Sequence, residues 1–257
     1  MALKTIGDFR EIEIGFAADM TKAWQEKYLL KAFLFHENDI TCLENESNDE
    51  QKVIGVRFYM GIEKGSNGEE PDMMVVGVDE HHLDIITRTA ETEEETVSGI
   101  YNFALPCPRL CDKESDLFWG IDSGTTSYES VITKTPYDAT TSDCQIEKYS
   151  ITNEVAIKRV TEWQCVKNNE LKSIYFDIND LKAIFNELGN PDAVRIYFAL
   201  EDEAHRVILI GCKKSDTVSD LYEDFDTEYV YINTAAPCTG NGELSCDITS
   251  ELYRNCE

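Results

Sequence analysis

Four cysteines occupy matching places in the two halves of the chain and could bind a metal ion. Each half has a Pro-Cys dipeptide followed by a second cysteine, which gives Cys107 with Cys111 and Cys238 with Cys246. Four thiolates can hold one Zn²⁺ ion in a tetrahedral site, although zinc knuckles and redox loops usually place two residues between their cysteines. Three hypotheses follow: a zinc site formed by all four, a disulfide or redox pair in each half, and thiols that only pack below a loop. If the thiols only pack, the protein needs no cofactor.

A second group of potential ligands lies in "VDEHHLDI", which contains Asp79, His81, His82 and Asp84. The segment follows a predicted strand, at a point where a hairpin turn is due. Two adjacent histidines on a strand or turn point in different directions and rarely bind one ion together. We therefore predict an exposed turn here rather than a metal site.

Acidic segments suggest two further kinds of site. Asp122-Ser123-Gly124 resembles the signature of aspartic proteases, whose mechanism needs two carboxylates that share a proton. A second such signature is absent from the sequence, so this hydrolase would require a homodimer, and we prefer a Ser-Gly turn in a linker. The runs "ETEEET" and "DLYEDFDTEY" lack the ligand spacing and central glycine of an EF-hand loop, so we predict solvated loops.

The charge of the chain limits its partners. The 257 residues carry a formal net charge of −27, and this field repels phosphate groups. We therefore predict no nucleic-acid binding through a basic face and no membrane insertion, because no stretch reaches the ~18–20 apolar residues of a membrane span. Charged residues interrupt the N-terminal segment, which predicts no signal peptide. A cytoplasmic protein with mostly reduced cysteines is expected.

The two halves of the chain resemble each other in sequence. When "GVRFYMGI" is placed over "AVRIYFAL", Arg57 falls on Arg195, and "MMVVGVD" then matches "VILIGCK". Upstream, Trp24-Gln25 matches Trp163-Gln164. The offset changes only between such segments, which is the pattern left by a duplication with loop insertions and deletions. Because each arginine falls at the centre of a predicted strand, we expect it to face outward or to pair with a carboxylate from the helix layer.

Periodicity predicts the same elements in each half. Apolar residues at helical spacing predict a helix over "FAADMTKAWQEKYL" and another over "NEVAIKRVTEWQCV". "DLKAIFNEL" predicts a helix that ends at Gly189, and "AVRIYFAL" with "RVILIGC" predicts a hairpin. The predicted fold class is α+β, with two tandem pseudo-repeats that each have two helices followed by a mostly antiparallel sheet. The repeats are expected to span residues 1–135 and 136–257.

The segments "AFLFHENDI", "GVRFYMGI", "MMVVGVDEHHLDI" and "IYNFALPCPRLC" together resemble an uncharacterised family found mainly in Bacteroidota. The resemblance covers the chain from Trp24 to Cys111, and the second half follows it more loosely. Here Glu80-His81-His82 replaces the Asn-Gly-like turn of the family. The resemblance implies the fold unit and carries no established activity.

These observations favour a non-enzymatic protein that binds other proteins or its own copies, as a scaffold or assembly subunit. Two similar modules in one chain present two similar surfaces, and exposed sheet edges would be natural contacts. No P-loop, dinucleotide-binding glycine motif, nucleophile elbow or HExxH helix is present in the sequence. The alternatives are a thiol- or zinc-dependent protein that uses the four cysteines, and a hydrolase centred on Asp122.

Overall fold

A computed structural model describes most of the chain. The residues that it describes are 3–28, 30–47, 51–65, 68–89, 96–107, 114–119, 144, 146–167, 170–216, 222–235, 237–239, 246–247, 249–254 and 256. The chain forms two compact units that each consist of three segments. The first unit contains Met1–Glu37, Leu105–Ser142 and Ala183–Thr234, and the second contains Asn38–Ala104, Asp143–Lys182 and Ala235–Glu257.

Strands provide most of the regular structure. In chain order they are β1 (Thr5–Ile6), β2 (Phe9–Glu13), β3 (Ala32–Phe35), β4 (Gly55–Gly65), β5 (Gly68–Val78), β6 (Asp84–Ile85), β7 (Thr87–Thr89), β8 (Thr96–Ser98), β9 (Ile100–Tyr101), β10 (Leu105–Cys107), β11 (Ser173–Asp177), β12 (Ala193–Glu201), β13 (Ala204–Lys214), β14 (Tyr222–Asp224) and β15 (Tyr229–Asn233). Every pair among them is antiparallel.

The helices are short. They are α1 (Ile14–Gln25), α2 (Glu37–Asn45), α3 (Asn153–Thr161) and α4 (Ile178–Glu187), with a 3₁₀ turn at Ile146–Tyr149 and a π-helical turn at Glu162–Val166. The Thr152 side chain caps α3 by accepting a hydrogen bond from the backbone N–H of Val155. In the part of the chain that the structure describes, no helix is both long and apolar enough to cross a membrane.

The first unit is built on an eight-stranded sheet. Its order is β1-β2-β15-β13-β12-β3-β10, with β14 also paired to β13. Helix α1 packs on β12 through a buried stripe that includes Ala17, Met20 and Trp24. Trp24 stacks on Phe198 of β12, with 5.1 Å between the ring centroids, and its indole N–H donates to the Leu30 carbonyl at 2.6 Å. The tryptophan therefore fixes the chain between α1 and β3.

The second unit has a five-stranded sheet in the order β11-β4-β5-β6, with β9 beside β5. Strands β7 and β8 form a separate two-stranded sheet. Helix α3 packs on β4, and Ala156 and Val160 join a core cluster with Tyr59 and Met74. The Trp163 indole donates to the Leu171 carbonyl at 2.7 Å, as Trp24 does to Leu30.

The predicted fold class is wrong, because the protein is mostly strand and its sheets are not built from one half of the chain each. β3, from the first half, pairs with β12, and β11, from the second half, pairs with β4. All four residues of β3 and three of the five in β11 are buried. Periodicity identifies such short apolar strands but does not indicate which hairpin they join. The boundary predicted near residue 135 falls in 120–143, outside the described residues.

Candidate binding site

A buried ion pair holds the β4–β5 hairpin of the second unit to β6. Arg57 and Tyr59 are two residues apart on β4, so their side chains lie on one face of the sheet. Arg57 Nη1 donates to Asp84 Oδ1, Nη2 donates to the His82 carbonyl at 3.2 Å, and the Tyr59 hydroxyl donates to Asp84 Oδ2 at 2.6 Å. Arg57 and Asp84 have side chains that are 0% and 1% exposed, so water does not share these bonds.

The same arrangement recurs in the first unit. Arg195 Nη1 donates to Asp224 Oδ1, and Nη2 donates to the Tyr222 carbonyl at 2.7 Å. The Tyr197 hydroxyl donates to Asp224 Oδ2 at 2.7 Å. The thiol of buried Cys212 adds a contact of 3.2 Å to Asp224 Oδ1. Both acids are on a short strand that pairs with the second strand of the hairpin, not in the helix layer that the sequence suggested.

These clusters have the properties of structural anchors. Burial raises the pKa of Asp84 above its ordinary value, and the charge of Arg57 opposes that rise. Burial also raises the pKa of Tyr59 well above 10.0, and the Asp84 charge adds to the rise. Tyr59 therefore keeps its proton at neutral pH, and its hydroxyl donates a hydrogen bond to the carboxylate. Such a pair adds little net stability, but the loss of one partner leaves a costly buried charge.

An acidic cavity of 540 Å³ lies beside Asp224 in the first unit. Five acidic residues line it, namely Glu114, Asp116, Glu223, Asp224 and Asp226. The carboxylate of Asp224 is already bonded to Arg195 and Tyr197. Apolar wall is provided by Ile14 at the start of α1, Ile210 of β13, and Phe225. The lining residues come from 114–116 and 223–227 as well as from the sheet, so no single sequence segment defines the cavity.

Gly211 and Phe225 position this wall of the cavity. The Phe225 backbone N–H donates to the Gly211 carbonyl at 2.9 Å, which continues the β13–β14 pairing by one residue. A Cβ atom on Gly211 would lie 2.8 Å from the Phe225 ring and 3.2 Å from Pro191. A glycine is therefore required if Phe225 is to lie against β13.

The cavity combines acidic side chains with an apolar wall, which is the chemistry that an organic cation would need. Carboxylates attract cationic groups, and an apolar wall can pack against the carbon chain of Lys or Arg. Among the described residues, no three His, Cys, Asp or Glu side chains are grouped as ligands of one metal ion. The sequence interpretation of "DLYEDFDTEY" as a solvated loop missed the cavity, since nothing local indicates that Ile14 and Ile210 lie behind the acids.

Disulfides account for most of the cysteines that the structure describes. Three bonds join Cys42 to Cys144, Cys165 to Cys256, and Cys238 to Cys246. The last of these matches the disulfide hypothesis for the second half of the chain.

The predicted zinc ligands are therefore not brought together as four thiolates. Cys238 and Cys246 are bonded to each other, and a disulfide provides no thiolate to a metal. The Cys107 side chain and Cys111 lie outside the described residues, so the zinc site stays a prediction for the reduced protein.

The Pro-Cys dipeptides have matching places at the edges of the two sheets. Cys107 at the end of β10 is paired opposite Ala32, the first residue of β3. Cys238 is paired opposite Ser173, the first residue of β11. A proline, which has no backbone N–H, is compatible with such an edge. The repeated dipeptide thus lies beside the first residue of β3 in one sheet and of β11 in the other.

The remaining sequence candidates divide into two groups. Asp79 and His82 form the predicted turn, in which Asp79 Oδ1 accepts from the backbone N–H groups of His81 and Leu83 at 2.9 Å each. Asp84 departs from that prediction, because it turns inward to Arg57. Asp122-Ser123-Gly124 and most of "ETEEET" lie outside the described residues.

Within the described residues, the acidic cavity brings acidic and apolar side chains together around one space. The chain matches no model of a known protein family, no curated protein and no solved structure.

Proposed function

We propose that this protein is a non-enzymatic protein-binding module that holds a basic side chain of its partner in the acidic cavity of the first unit. The single observation that carries the proposal is the juxtaposition of four acidic residues, Glu114, Asp116, Glu223 and Asp226, with an apolar wall around 540 Å³ of space. Cavities of a few hundred cubic ångströms are typical of specific sites. The partner is a protein with an exposed Lys or Arg.

The chemistry of the walls supports a basic ligand. The aliphatic stem of Lys or Arg would pack against Ile210 and Phe225, and its cationic end would reach the carboxylates of Glu223 and Asp226. Hydrogen bonds between a guanidinium or ammonium group and a carboxylate are among the stronger ones in proteins. The net charge of −27 would also steer a basic partner toward the chain.

The role of Asp224 supports binding rather than catalysis. Its side chain is 3% exposed, and its two oxygens accept hydrogen bonds from Arg195 and Tyr197. A carboxylate held in this way is an anchor for the cavity wall and is poorly suited to move protons during a reaction.

We also propose that the protein works in an oxidising compartment. The cytoplasmic location expected from the sequence assumes reduced thiols, whereas three disulfides join cysteines of the described residues. Structural disulfides persist in secreted and periplasmic proteins and are rare in the cytosol.

An NMR titration tests the binding site. The probe is the peptide acetyl-Ala-Arg-Ala-Lys-Ala-amide, added to the ¹⁵N-labelled full chain at low ionic strength. We expect saturable shifts of the amides at 114–116 and 223–227. The Glu223→Gln/Asp226→Asn double variant should bind the peptide about threefold to thirtyfold more weakly, because each lost charge contact contributes on the order of 0.3–1 kcal/mol.

The matched control removes the same number of negative charges at another place on the protein. Glu154 and Glu170 are exposed in the second unit, and Glu154→Gln/Glu170→Gln should leave the affinity unchanged. Equal weakening by both double variants, or shifts spread evenly over the acidic surface, would show that only the general charge attracts the peptide. The cavity would then not be the binding site.

A further inference from the structure

Each unit holds a short segment of the chain in a clamp made by one glutamine and one lysine. In the first clamp, Gln25 Nε2 donates to the Leu117 carbonyl at 2.8 Å, and Gln25 Oε1 accepts from the Trp119 backbone N–H at 2.8 Å. Lys31 Nζ donates to the Trp119 carbonyl at 2.8 Å and lies 4.0 Å from the centroid of the Phe118 ring. One side-chain amide thus binds the main chain on both sides of Phe118.

The second clamp repeats these contacts in the second unit. Gln164 Nε2 donates to the Leu252 carbonyl at 3.1 Å, and Gln164 Oε1 accepts from the Arg254 backbone N–H at 2.9 Å. Lys172 Nζ donates to the Arg254 carbonyl at 2.7 Å and lies 4.2 Å from the centroid of the Tyr253 ring. All four contacts of the first clamp are therefore present.

The two bound segments share a sequence pattern. Ser115-Asp116-Leu117-Phe118 and Ser250-Glu251-Leu252-Tyr253 both read serine, acid, leucine, aromatic residue. In each segment the serine hydroxyl accepts from the leucine backbone N–H at 3.2 Å, and the leucine is 0% exposed. The clamp therefore selects a buried leucine that is followed by an aromatic ring beside the lysine.

The clamp binds mostly main-chain atoms, so it does not depend on the identity of the last residue. Trp119 and Arg254 occupy the same place, and the glutamine and the lysine bind each of them through its N–H and C=O. The Trp119 ring also lies 4.0 Å from Lys22 Nζ. As in peptide recognition by strand addition, bonds to the peptide main chain give affinity and a side-chain pocket gives specificity, but here glutamine and lysine side chains make those bonds. Any copy of the serine-acid-leucine-aromatic pattern has the groups that a clamp binds.

We propose that the second clamp also accepts residues 249–254 from a second copy of this chain, so that copies exchange these segments and assemble. The exchanged segment begins after Asp247, which is held by hydrogen bonds from the backbone N–H groups of Asp84 and Thr249, and after the Cys238–Cys246 disulfide. Residues 249–256 span about 26–29 Å when extended, so the segment can extend away from its own clamp. The proposal does not depend on the acidic cavity.

The Cys165–Cys256 disulfide reports which chain fills the clamp. Cys165 follows Gln164, and Cys256 lies two residues beyond Arg254, so the bond closes beside the bound segment. A segment supplied by another copy would place Cys256 of one chain beside Cys165 of the other. The bond then joins two chains instead of one.

Isotope mixing tests the exchange in the full chain. Equal amounts of ¹⁴N and ¹⁵N protein are mixed without denaturant and reduced by dithiothreitol, which supplies two electrons and two protons per disulfide. Oxidised glutathione then takes up two electrons and two protons per pair of thiols, so the disulfides form again. A protease that cleaves after glutamate then releases the disulfide-linked peptides that contain Cys165 and Cys256. It also cleaves at Glu243, so Cys238 and Cys246 lie on two separate peptides. Mass spectrometry gives the fraction of each linked pair that carries both isotopes.

We expect mixed Cys165–Cys256 pairs to approach half of the total at high protein concentration and to fall on dilution, while Cys238–Cys246 pairs stay unmixed. The peptide Thr-Ser-Glu-Leu-Tyr-Arg in excess should lower the total yield of Cys165–Cys256 pairs, because it fills the clamp, and the same peptide with the Leu252→Ser change should not. Cys165–Cys256 pairs that remain unmixed at every concentration would overturn the proposal. Equal mixing of both pairs would overturn it as well, because it would report unfolding of the whole chain.

Discussion

The Tyr197 hydroxyl donates a hydrogen bond of 2.7 Å to Asp224 Oδ2, and this bond ties the central strand β12 to the wall of the acidic cavity. Tyr197 is fully buried, and Asp224 also accepts from Arg195 on the same strand. The arrangement in the second unit is the same, where Tyr59 donates to Asp84 at 2.6 Å. The wall of the cavity is thus bonded to a strand that lies inside the sheet.

Removal of the hydroxyl in Tyr197→Phe should lower the free energy of unfolding by about 1.5–3 kcal/mol, the usual contribution of a hydrogen bond to a charged group. Arg195→Met should cost more, about 3–5 kcal/mol, because it leaves the Asp224 carboxylate buried without its cation. Chemical denaturation followed by tryptophan fluorescence measures both. Tyr59→Phe is the matched variant in the second unit, and a cost there far from that of Tyr197→Phe would contradict the equivalence of the two clusters.

Gly211→Ala should damage the acidic cavity while the rest of the fold persists. The new methyl group would stand 2.8 Å from the Phe225 ring, so the ring must move and the apolar wall with it. We expect a loss of about 1–3 kcal/mol in stability, as for other overpacked sites, and weaker binding of the basic peptide. Calorimetry and the NMR titration measure the two effects.

Gly15→Ala is the control for that substitution. Gly15 lies in α1 next to Ile14 of the cavity, and a Cβ atom there meets no other atom within 4 Å. Since alanine has the higher helix propensity, the variant should be as stable as the wild type or more stable by up to about 1 kcal/mol. If Gly211→Ala binds the peptide as tightly as the wild type does, the cavity is not the binding site that we propose.

Local elements could be predicted from the sequence, but their pairing could not. The helical spacing of Met20 and Trp24 predicts α1, and apolar runs predict the β12–β13 hairpin. No local sequence pattern indicates that β3, from the first half of the chain, pairs with β12 from the second half. A four-residue buried strand fits the edge of either hairpin equally well. The acidic cavity was missed for the same reason. The family resemblance stays a prediction, since it rests on those local patterns.

The three disulfides should differ in what they contribute. In the chain-entropy model a bond that closes a longer loop restricts the unfolded chain more, and the sequence separations are 91 for Cys165–Cys256 and 8 for Cys238–Cys246. Cys165→Ser/Cys256→Ser should therefore cost more stability than Cys238→Ser/Cys246→Ser, by about 2 kcal/mol. Denaturation midpoints of the two double variants give the comparison. The reverse order would show that loop length does not decide the contributions of these two disulfides.

Asp247 should give the second unit a stability that depends on pH. Burial acts to raise the pKa of this carboxyl. Three hydrogen bonds and one charge oppose burial: the bonds come from the Thr249 hydroxyl and from the backbone N–H groups of Asp84 and Thr249, and the charge is that of Arg57. Together they lower the pKa below its ordinary value of 3.8. The folded state therefore favours the ionised form. Its stabilising contribution is complete above pH 3.8 and is lost as the pH falls through the lower pKa of the folded protein.

Thermal unfolding of the wild type and of Asp247→Asn between pH 2 and pH 7 measures this contribution. We expect the variant to melt at a lower temperature at pH 7 and the difference to shrink as the pH falls below 3.8, because the wild-type carboxyl then gains a proton in both states. Glu170→Gln, an exposed carboxylate change in the same unit, should show no such trend. A gap between wild type and Asp247→Asn that stays constant across this range would mean that the side chain acts through its shape and not through its charge.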